Sequence, residues 1–310
     1  MNKESRRSRV RRRWVISGAA VVVVLLAAGV WIWQSSARST TPEEAALEYL
    51  QALESGDADT VRATGIVVTE AALDAFDAAS ALVRDAEVTR VRHSNGSTSA
   101  AAAEVSFELD GDAHDAVLAL DMVDGRWRVD SSGLGRVTLD STIGASVAIG
   151  TTAVPTGEAV ALLPALYTVS AMPATLLEGE SAVTVMPAVE VTTVVDATLR
   201  PEATAVAQDH VDDIVEACTV PGTDTPDGCG LRIPWGTEFR DVDGFRYRVE
   251  EAPAVTLTPA GFTADGGVLV VTVTGTGADG AGRTTTYRTD SWTLRGDVSF
   301  TADDLVLSPW

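Results

Sequence analysis

The first apolar pattern of the chain is an uncharged run of 20 residues, WVISGAAVVVVLLAAGVWIW, at positions 14–33. A helix rises about 1.5 Å per residue, so a helix of this length matches the hydrocarbon core of a bilayer, which is ~30 Å thick. Trp14 stands at one end of the run and Trp31 and Trp33 at the other, where tryptophan anchors a helix in the membrane interfaces. The pattern predicts a single N-terminal transmembrane helix.

The charges around this helix predict its orientation. Residues 1–13 form a short basic arm, and positive charges beside a transmembrane helix stay in the cytoplasm. Residues 34–41 form a linker, and the chain after it is expected outside the cytoplasm, at the plasma membrane. The alternative is a cleaved signal peptide, because Ser35-Ser36-Ala37 resembles a cleavage site, but signal peptides have a shorter apolar run of about 7–15 residues.

Between 42 and 136 a helical pattern comes first and strand patterns follow. Thr41 and Glu44 have the spacing of a capping box, and Gly56 ends the helical repeat that begins there. A second helix is predicted over 69–82, and alternating apolar residues after it predict antiparallel strands. The pair Asp124-Gly125 predicts a hairpin turn between two of them. These elements predict an α+β domain.

Two motifs of this domain resemble a known superfamily. They are Ala-x-x-Tyr-Leu-x-Ala-Leu-x-x-Gly-Asp, from Ala46 to Asp57, and Asp-Gly-x-Trp-x-Val, from Asp124 to Val129. Both resemble the nuclear-transport-factor-two-like superfamily, and the resemblance covers residues 42–135. It implies a cone-like α+β fold for this domain, and the chain as a whole resembles a membrane-anchored bacterial envelope protein of the actinobacterial type. Such cones serve in binding, in scaffolding and sometimes in catalysis, so the resemblance leaves the function open.

The remainder of the chain is predicted to hold two further domains. Short apolar runs separated by Gly and Pro predict a small all-β module over 137–198. Residues 199–310 begin with a helical pattern over 201–217 and continue with strands, which predicts a C-terminal α+β domain. Hairpin turns are predicted at its three Asp-Gly pairs, which begin at Asp243, Asp265 and Asp279.

Cys218 and Cys229 are the only cysteines in the sequence. An even number of cysteines outside the cytoplasm predicts a disulfide, and the loop between them contains the Pro and Gly residues needed to bend back. The alternative is a pair of free buried thiols. A zinc site is not predicted, because His210 is the only histidine nearby.

Charge is distributed very unevenly along the chain. Residues 1–40 hold eight of the 23 basic residues and one of the 44 acidic residues, which leaves 15 basic and 43 acidic residues in 41–310. This region therefore has a net charge of −28. A surface of that charge repels nucleic acid and other polyanions, so nucleic acid is not an expected partner.

Catalytic, cofactor-binding and metal-binding residues are not predicted in this sequence. Lys3 is the only lysine, which excludes serine–lysine hydrolases and the Gly-x-x-x-x-Gly-Lys phosphate loop. His210 lies in the acidic run 209–213, where a cation could bind, but the run is more typical of a solvated helix face. Asp241 and Asp243 imitate the start of a calcium loop, but arginines replace the later ligands.

These observations predict a non-catalytic, membrane-tethered envelope protein that binds another protein or a wall component. The alternative is a small-ligand-binding protein or an enzyme that uses a pocket of the domain at 42–136. A functional pocket would gather polar side chains such as His93, His114 and Glu104 on its inner wall. The interior of a scaffold would instead be filled by Leu, Val and Phe.

The predicted topology can be tested with protease added to intact spheroplasts. The chain beyond Ser35 should be digested and the arm at 1–13 protected, because the bilayer separates them; mass spectrometry of the surviving peptides is the measurement. Protection of the C-terminal region would reverse the orientation. A mature protein that begins near Arg38 would show that the apolar segment is cleaved.

Overall fold

A computed structural model describes residues 41–94 and 97–310. Of these residues, 52% lie in strands and 19% in helices. The helices are α1 (Pro42–Ser55), α2 (Ala58–Ala63), α3 (Glu70–Asp77) and α4 (Pro201–Cys218). Short 3-10 turns occur at Ser131–Gly133 and Trp235–Thr237.

The strands account for most of the described chain. In chain order they are β1 (Ala81–Leu82), β2 (Arg84–His93), β3 (Ala100–Leu109), β4 (Asp112–Val123), β5 (Arg126–Val129), β6 (Gly135–Ser141), β7 (Ser146–Ile149), β8 (Thr152–Pro155), β9 (Ala159–Leu162), β10 (Ala165–Ala171), β11 (Leu177–Glu178), β12 (Glu180–Val185), β13 (Glu190–Val195), β14 (Thr198–Leu199), β15 (Phe239–Glu251), β16 (Ala254–Leu257), β17 (Gly261–Gly277), β18 (Gly282–Phe300) and β19 (Leu305–Pro309).

The predicted fold class, a transmembrane helix followed by α+β, all-β and α+β domains, is wrong, because the described residues are mostly strand. Among them, no helix is long and apolar enough to span a bilayer. The predicted transmembrane segment at 14–33, with Trp14, Trp31 and Trp33, lies outside the described residues.

Two predicted hairpin turns lie inside long strands, which is one reason for the higher strand content. Asp243 and the glycine after it lie within β15, at a shift in its register with β17. Asp265 and Gly266 lie within β17, where Gly266 has a φ of 81° and the register with β18 shifts. Both pairs form β-bulges, in which an extra residue is absorbed without reversing the strand. Only Asp279 belongs to a turn, between β17 and β18.

The described residues form two compact units. The first contains residues up to Val67 together with Val83–Gly133, and the second contains Val68–Leu82 and Leu134–Trp310.

The first unit is an antiparallel sheet in the order β2-β3-β4-β5 with α1 packed on one face. The predicted caps of α1 are confirmed: the Glu44 N–H donates to Thr41 Oγ1 at 3.2 Å, and Gly56 adopts the left-handed conformation. The predicted turn at Asp124 and Gly125 is also confirmed, since both have a positive φ and they join β4 to β5.

The second unit begins with a short helix and a two-residue strand. The helix predicted over 69–82 ends at Asp77, because the Ser80 N–H donates to the Leu166 oxygen at 2.8 Å and β1 then pairs with β10. Strands β1, β10, β7 and β8 lie side by side in that order, with β12 also paired to β10. A second sheet has the order β13-β6-β9, in which β13 and β6 are parallel, and β11 pairs with β14.

The C-terminal part of this unit is a large antiparallel sheet in the order β15-β17-β18-β19, with β16 also paired to β17. The helix predicted over 201–217 is α4, which packs against β16 and β19 through its buried residues. The buried residues of α4 are Ala203, Ala207, Val211, Val215 and Cys218. The helix therefore covers only the end of the sheet that contains β16 and β19.

Tyr49 offers a test of the packing in the first unit. Its side chain is fully buried, and its hydroxyl donates to the Gly133 oxygen at 2.7 Å. Tyr49→Phe leaves that carbonyl unsatisfied, so the unit should lose about 1–3 kcal/mol of stability. Hydrogen exchange of residues 42–55 should be faster by roughly five- to a hundredfold.

Tyr247→Phe is the matched control, because the Tyr247 hydroxyl is buried without a hydrogen-bond partner among the described residues. Exchange in β15 should then stay the same or become slower. Equal effects of the two substitutions on their own units would contradict the role given to the Tyr49 hydrogen bond.

Candidate functional site

The polar residues predicted to share a pocket wall in the first unit do not come together. His114 is the cross-strand partner of Phe107, whereas Glu104 lies three positions away on the same strand and therefore on the opposite face. His93 pairs with Ala101, six residues along β3 from Phe107, which is a distance of about 20 Å in a strand.

Apolar side chains fill the space between α1 and the sheet. Buried residues of the inner face of the sheet are Ala101, Ala103, Val105, Phe107, Leu118, Leu120 and Trp127. Tyr49, Leu50 and Leu53 of α1 are buried to a similar extent. Glu104 pairs instead with Arg90 and Arg92 on the outer face. This unit has the filled interior expected of a scaffold.

The acidic clusters found in the sequence do not converge on a cation site. Within the part of the chain that the structure describes, no group of three or more His, Cys, Asp and Glu side chains could hold a metal ion. His210 Nε2 lies 3.6 Å from Asp304 Oδ2. Asp241 lies at the start of β15 and contacts Arg240.

The predicted disulfide between Cys218 and Cys229 is confirmed, and the Cα atoms of the two residues are 5.7 Å apart. The Trp292 indole, which is buried in the sheet, donates from Nε1 to the Cys229 main-chain oxygen at 2.8 Å. Gly230 has a φ of 60°, and a Cβ there would lie 2.2 Å from the Thr293 oxygen, so only glycine allows this close approach. These contacts fix the chain against β18.

Residues 230–235, here called the crossing segment, run from β18 to β15 over one face of the sheet. At the far end the Trp235 ring packs edge-on against Phe245, with centroids 6.0 Å apart. A cleft of about 590 Å³ lies between the crossing segment and the sheet. Its volume is within the usual range for ligand pockets, about 300–1,000 Å³.

Apolar and aromatic side chains form the floor of the cleft. Leu269 and Val271 of β17 line it beside Tyr287 of β18. Val271 pairs with Tyr247 on one side and with Tyr287 on the other, so the three residues form a row across the sheet. Burial raises the pKa of both tyrosines. At Tyr287 the nearby Glu238 carboxylate raises the pKa further. The same carboxylate accepts a hydrogen bond from the Thr285 hydroxyl at 3.2 Å.

The cleft is positively charged, whereas residues 41–310 as a whole have a large negative charge. Arg232 and Arg295 line it, and no acidic residue of the described chain does. Nine of the 15 arginines in 41–310 contact a carboxylate of the described chain, but Arg232 and Arg295 contact none there. Arg288 also borders the cleft, but its guanidinium pairs with Glu250 and Asp290. Two arginines therefore remain available for an anion.

No pattern in the sequence predicted this cleft. Arg232 and Pro234 follow the second cysteine closely, and Trp292 is one of only seven tryptophans, but neither fact indicates that the two regions meet. Their contact joins residues about 60 positions apart, which no local pattern encodes. A tryptophan at an otherwise polar stretch of a strand is the one available signal, since a buried indole needs a hydrogen-bond acceptor.

Comparison with known proteins gives no relative: no family model, no curated protein and no solved structure matches this chain. The resemblance to the nuclear-transport-factor-two-like superfamily therefore stays a prediction.

The anchoring of the crossing segment can be tested by reduction of the disulfide. Alkylation without reductant should label neither Cys218 nor Cys229 in the folded protein. After reduction, hydrogen exchange of residues 230–235 should become faster, because one of the two tethers at Cys229 is lost. Residues 42–55, in the other unit, serve as the internal control. Quantitative labelling of both cysteines before reduction would show that the folded protein lacks the bond.

Proposed function

We propose that this chain is a non-catalytic, membrane-tethered protein of the cell envelope that binds a ligand or partner outside the cytoplasm. The apolar segment at 14–33 is its single anchor, with residues 1–13 in the cytoplasm. The disulfide between Cys218 and Cys229 supports an oxidising compartment, since such bonds rarely persist in the cytosol.

The cleft of the second unit is the observation that carries this proposal. Long strands form its floor, and a segment tethered at Cys229 forms its wall. A site built on such a frame loses little conformational entropy when a ligand binds. The first unit, with its filled interior, acts as a scaffold.

We propose no catalytic role, because in the described chain no histidine is hydrogen-bonded to the side chain of a serine, threonine or cysteine. His93 packs edge-on against Trp127, and His114 lies beside Phe107. His210 faces Asp304. Nucleophilic catalysis requires a nucleophile held close to a base, with an oxyanion donor nearby.

Photo-crosslinking in intact cells tests the role of the cleft. Ser291, which lines the cleft, is replaced in the full-length chain by photoreactive benzoylphenylalanine. Irradiation should give a discrete adduct, detected as a shift in mass. The adduct should be reduced at least tenfold by the further substitution Thr289→Phe, which fills the cleft.

Thr284 provides the matched control, because it lies on the other face of β18 from Tyr287 and is exposed. A photoreactive residue there should give no such adduct, and Thr284→Phe should leave the Ser291 adduct unchanged. Identical adducts from both positions, or none from either, would contradict binding at the cleft. Hydrolysis of peptidoglycan by the purified full-length chain, lost on mutation of one Asp or Glu pair, would show an enzyme instead.

A further inference from the structure

One long edge of β18 has no neighbouring strand. β17 pairs with β18 from Gly282 to Asp297, but β19 pairs only with Gly296–Phe300. In the described chain no strand pairs with the outer side of β18 before Arg295, whose main-chain oxygen accepts from the Trp310 N–H at 3.1 Å. An unpaired edge presents a row of main-chain N–H and C=O groups, and proteins usually cover or protect such a row.

The cleft runs along this edge. Residues 287–289 and 291–293 all line it. Consecutive residues of a strand direct their side chains to opposite faces, so a cavity confined to one face would contact only every second residue. The cleft therefore reaches the main chain at the edge of β18.

The charges near this edge do not block it. Between positions 287 and 295, β18 has three charged residues, Arg288, Asp290 and Arg295, and the first two pair with each other at 2.8 Å. Arg288 also pairs with Glu250 of β15. Charges neutralised in such pairs repel a second strand less than free charges do, so the free charge at this edge is the positive charge of Arg295.

The crossing segment offers a second set of free main-chain groups. Residues 231–233 form no main-chain hydrogen bond within the part of the chain that the structure describes. The cleft is thus bordered on two sides by peptide groups that can bond to a ligand. A ligand with peptide groups of its own matches both sides.

The arginines determine the charge of that ligand. Arg232 stands on the crossing segment and Arg295 on β18, and neither contacts a carboxylate of the described chain. An arginine binds a carboxylate with two parallel hydrogen bonds, which are stronger than bonds between neutral groups. The carboxylate that is missing from the cleft must come from the ligand.

We propose that the cleft binds an extended peptide that carries a carboxylate. The peptide adds as a strand beside the outer edge of β18, and Arg232 and Arg295 hold its carboxylate. About five peptide residues, roughly 17 Å when extended, span this part of the edge. On the cleft face, alternate side chains of the peptide lie beside Tyr287 and Thr289 of β18, and the other side chains point to the opposite face. The inference rests on the proposed binding function and names its ligand class.

The test uses the immobilised full-length protein in detergent and two pools of pentapeptides with random side chains. One pool has free C-terminal carboxylates and the other has C-terminal amides, and mass spectrometry identifies the retained peptides. The carboxylate pool should be enriched, and amidation of a selected peptide should weaken its binding about tenfold or more. Selection of amidated peptides that contain Asp or Glu would also support the proposal, with a side chain as the source of the carboxylate.

Arg232→Gln and Arg295→Gln should each weaken the selected peptides to a similar extent. Arg246→Gln is the matched control, because Arg246 also lacks a carboxylate partner among the described residues but does not line the cleft. Equal enrichment of neutral and acidic peptides, or equal effects of the three substitutions, would overturn the assignment of the arginines.

N-methylation of the selected peptide tests strand addition without altering the protein. Methyl groups on the nitrogens that face β18 should abolish binding, and those on the alternate nitrogens should have little effect, because only every second N–H bonds to a neighbouring strand. Equal tolerance at all positions would show that the peptide does not bind as a strand.

These results are separable from a failure of the proposed function. If the Ser291 adduct forms in cells but neither pool is enriched, the binding function stands and the peptide assignment is wrong. If light scattering shows a dimer that peptides do not dissociate, a second copy covers the edge, and the peptide assignment is again wrong.

Discussion

The hydrogen bond between the Trp292 indole and the Cys229 main-chain oxygen determines the geometry of the candidate site. Cys229 is also tied to the end of α4 through Cys218, and the chain passes Thr293 so closely that only Gly230 fits. A disulfide that closes a small loop contributes about 3 kcal/mol, chiefly by restricting the unfolded chain. The hydrogen bond from the Trp292 indole determines which face of the sheet the crossing segment covers.

The excess of acidic residues gives the two faces of this sheet different chemistry. On the far face Arg248, Glu250, Arg288 and Asp290 form a network of ion pairs. Exposed pairs of this kind contribute only about 0–1 kcal/mol each to stability. They also neutralise the charge of Arg288, which borders the cleft. The face under the crossing segment keeps its apolar floor, and the arginines at its border keep their charge available.

The features predicted correctly from sequence are those that local chemistry determines. Thr41 and Gly56 bound a helix, and Asp124 opens a two-residue turn, because a few neighbouring residues suffice to set the backbone there. The disulfide followed from the count of cysteines and the expected compartment. The turn wrongly predicted at Asp265 has the same local sequence signal as a true turn, but pairing with β18 turns it into a bulge. The cleft depends on contacts between distant segments, and hence left no trace in any local pattern.

That bulge has a partner in β18, and the pair accounts for the position of Trp292. Thr289 pairs with Leu269, and Trp292 pairs with Gly267. Between these two pairs β18 advances by three residues and β17 by two, so β18 contains one extra residue. In a regular strand Thr289 and Trp292 would face opposite sides, but the extra residue places both on the face that bears the cleft. From Gly267 to Ala264 β17 advances by three residues while β18 advances by two, so an extra residue of β17 near Asp265 compensates for the one in β18. Two compensating insertions thus direct one indole toward Cys229 and leave the hydrophobic pattern of both strands intact, so the anchor of the crossing segment depends on irregularity in the sheet itself.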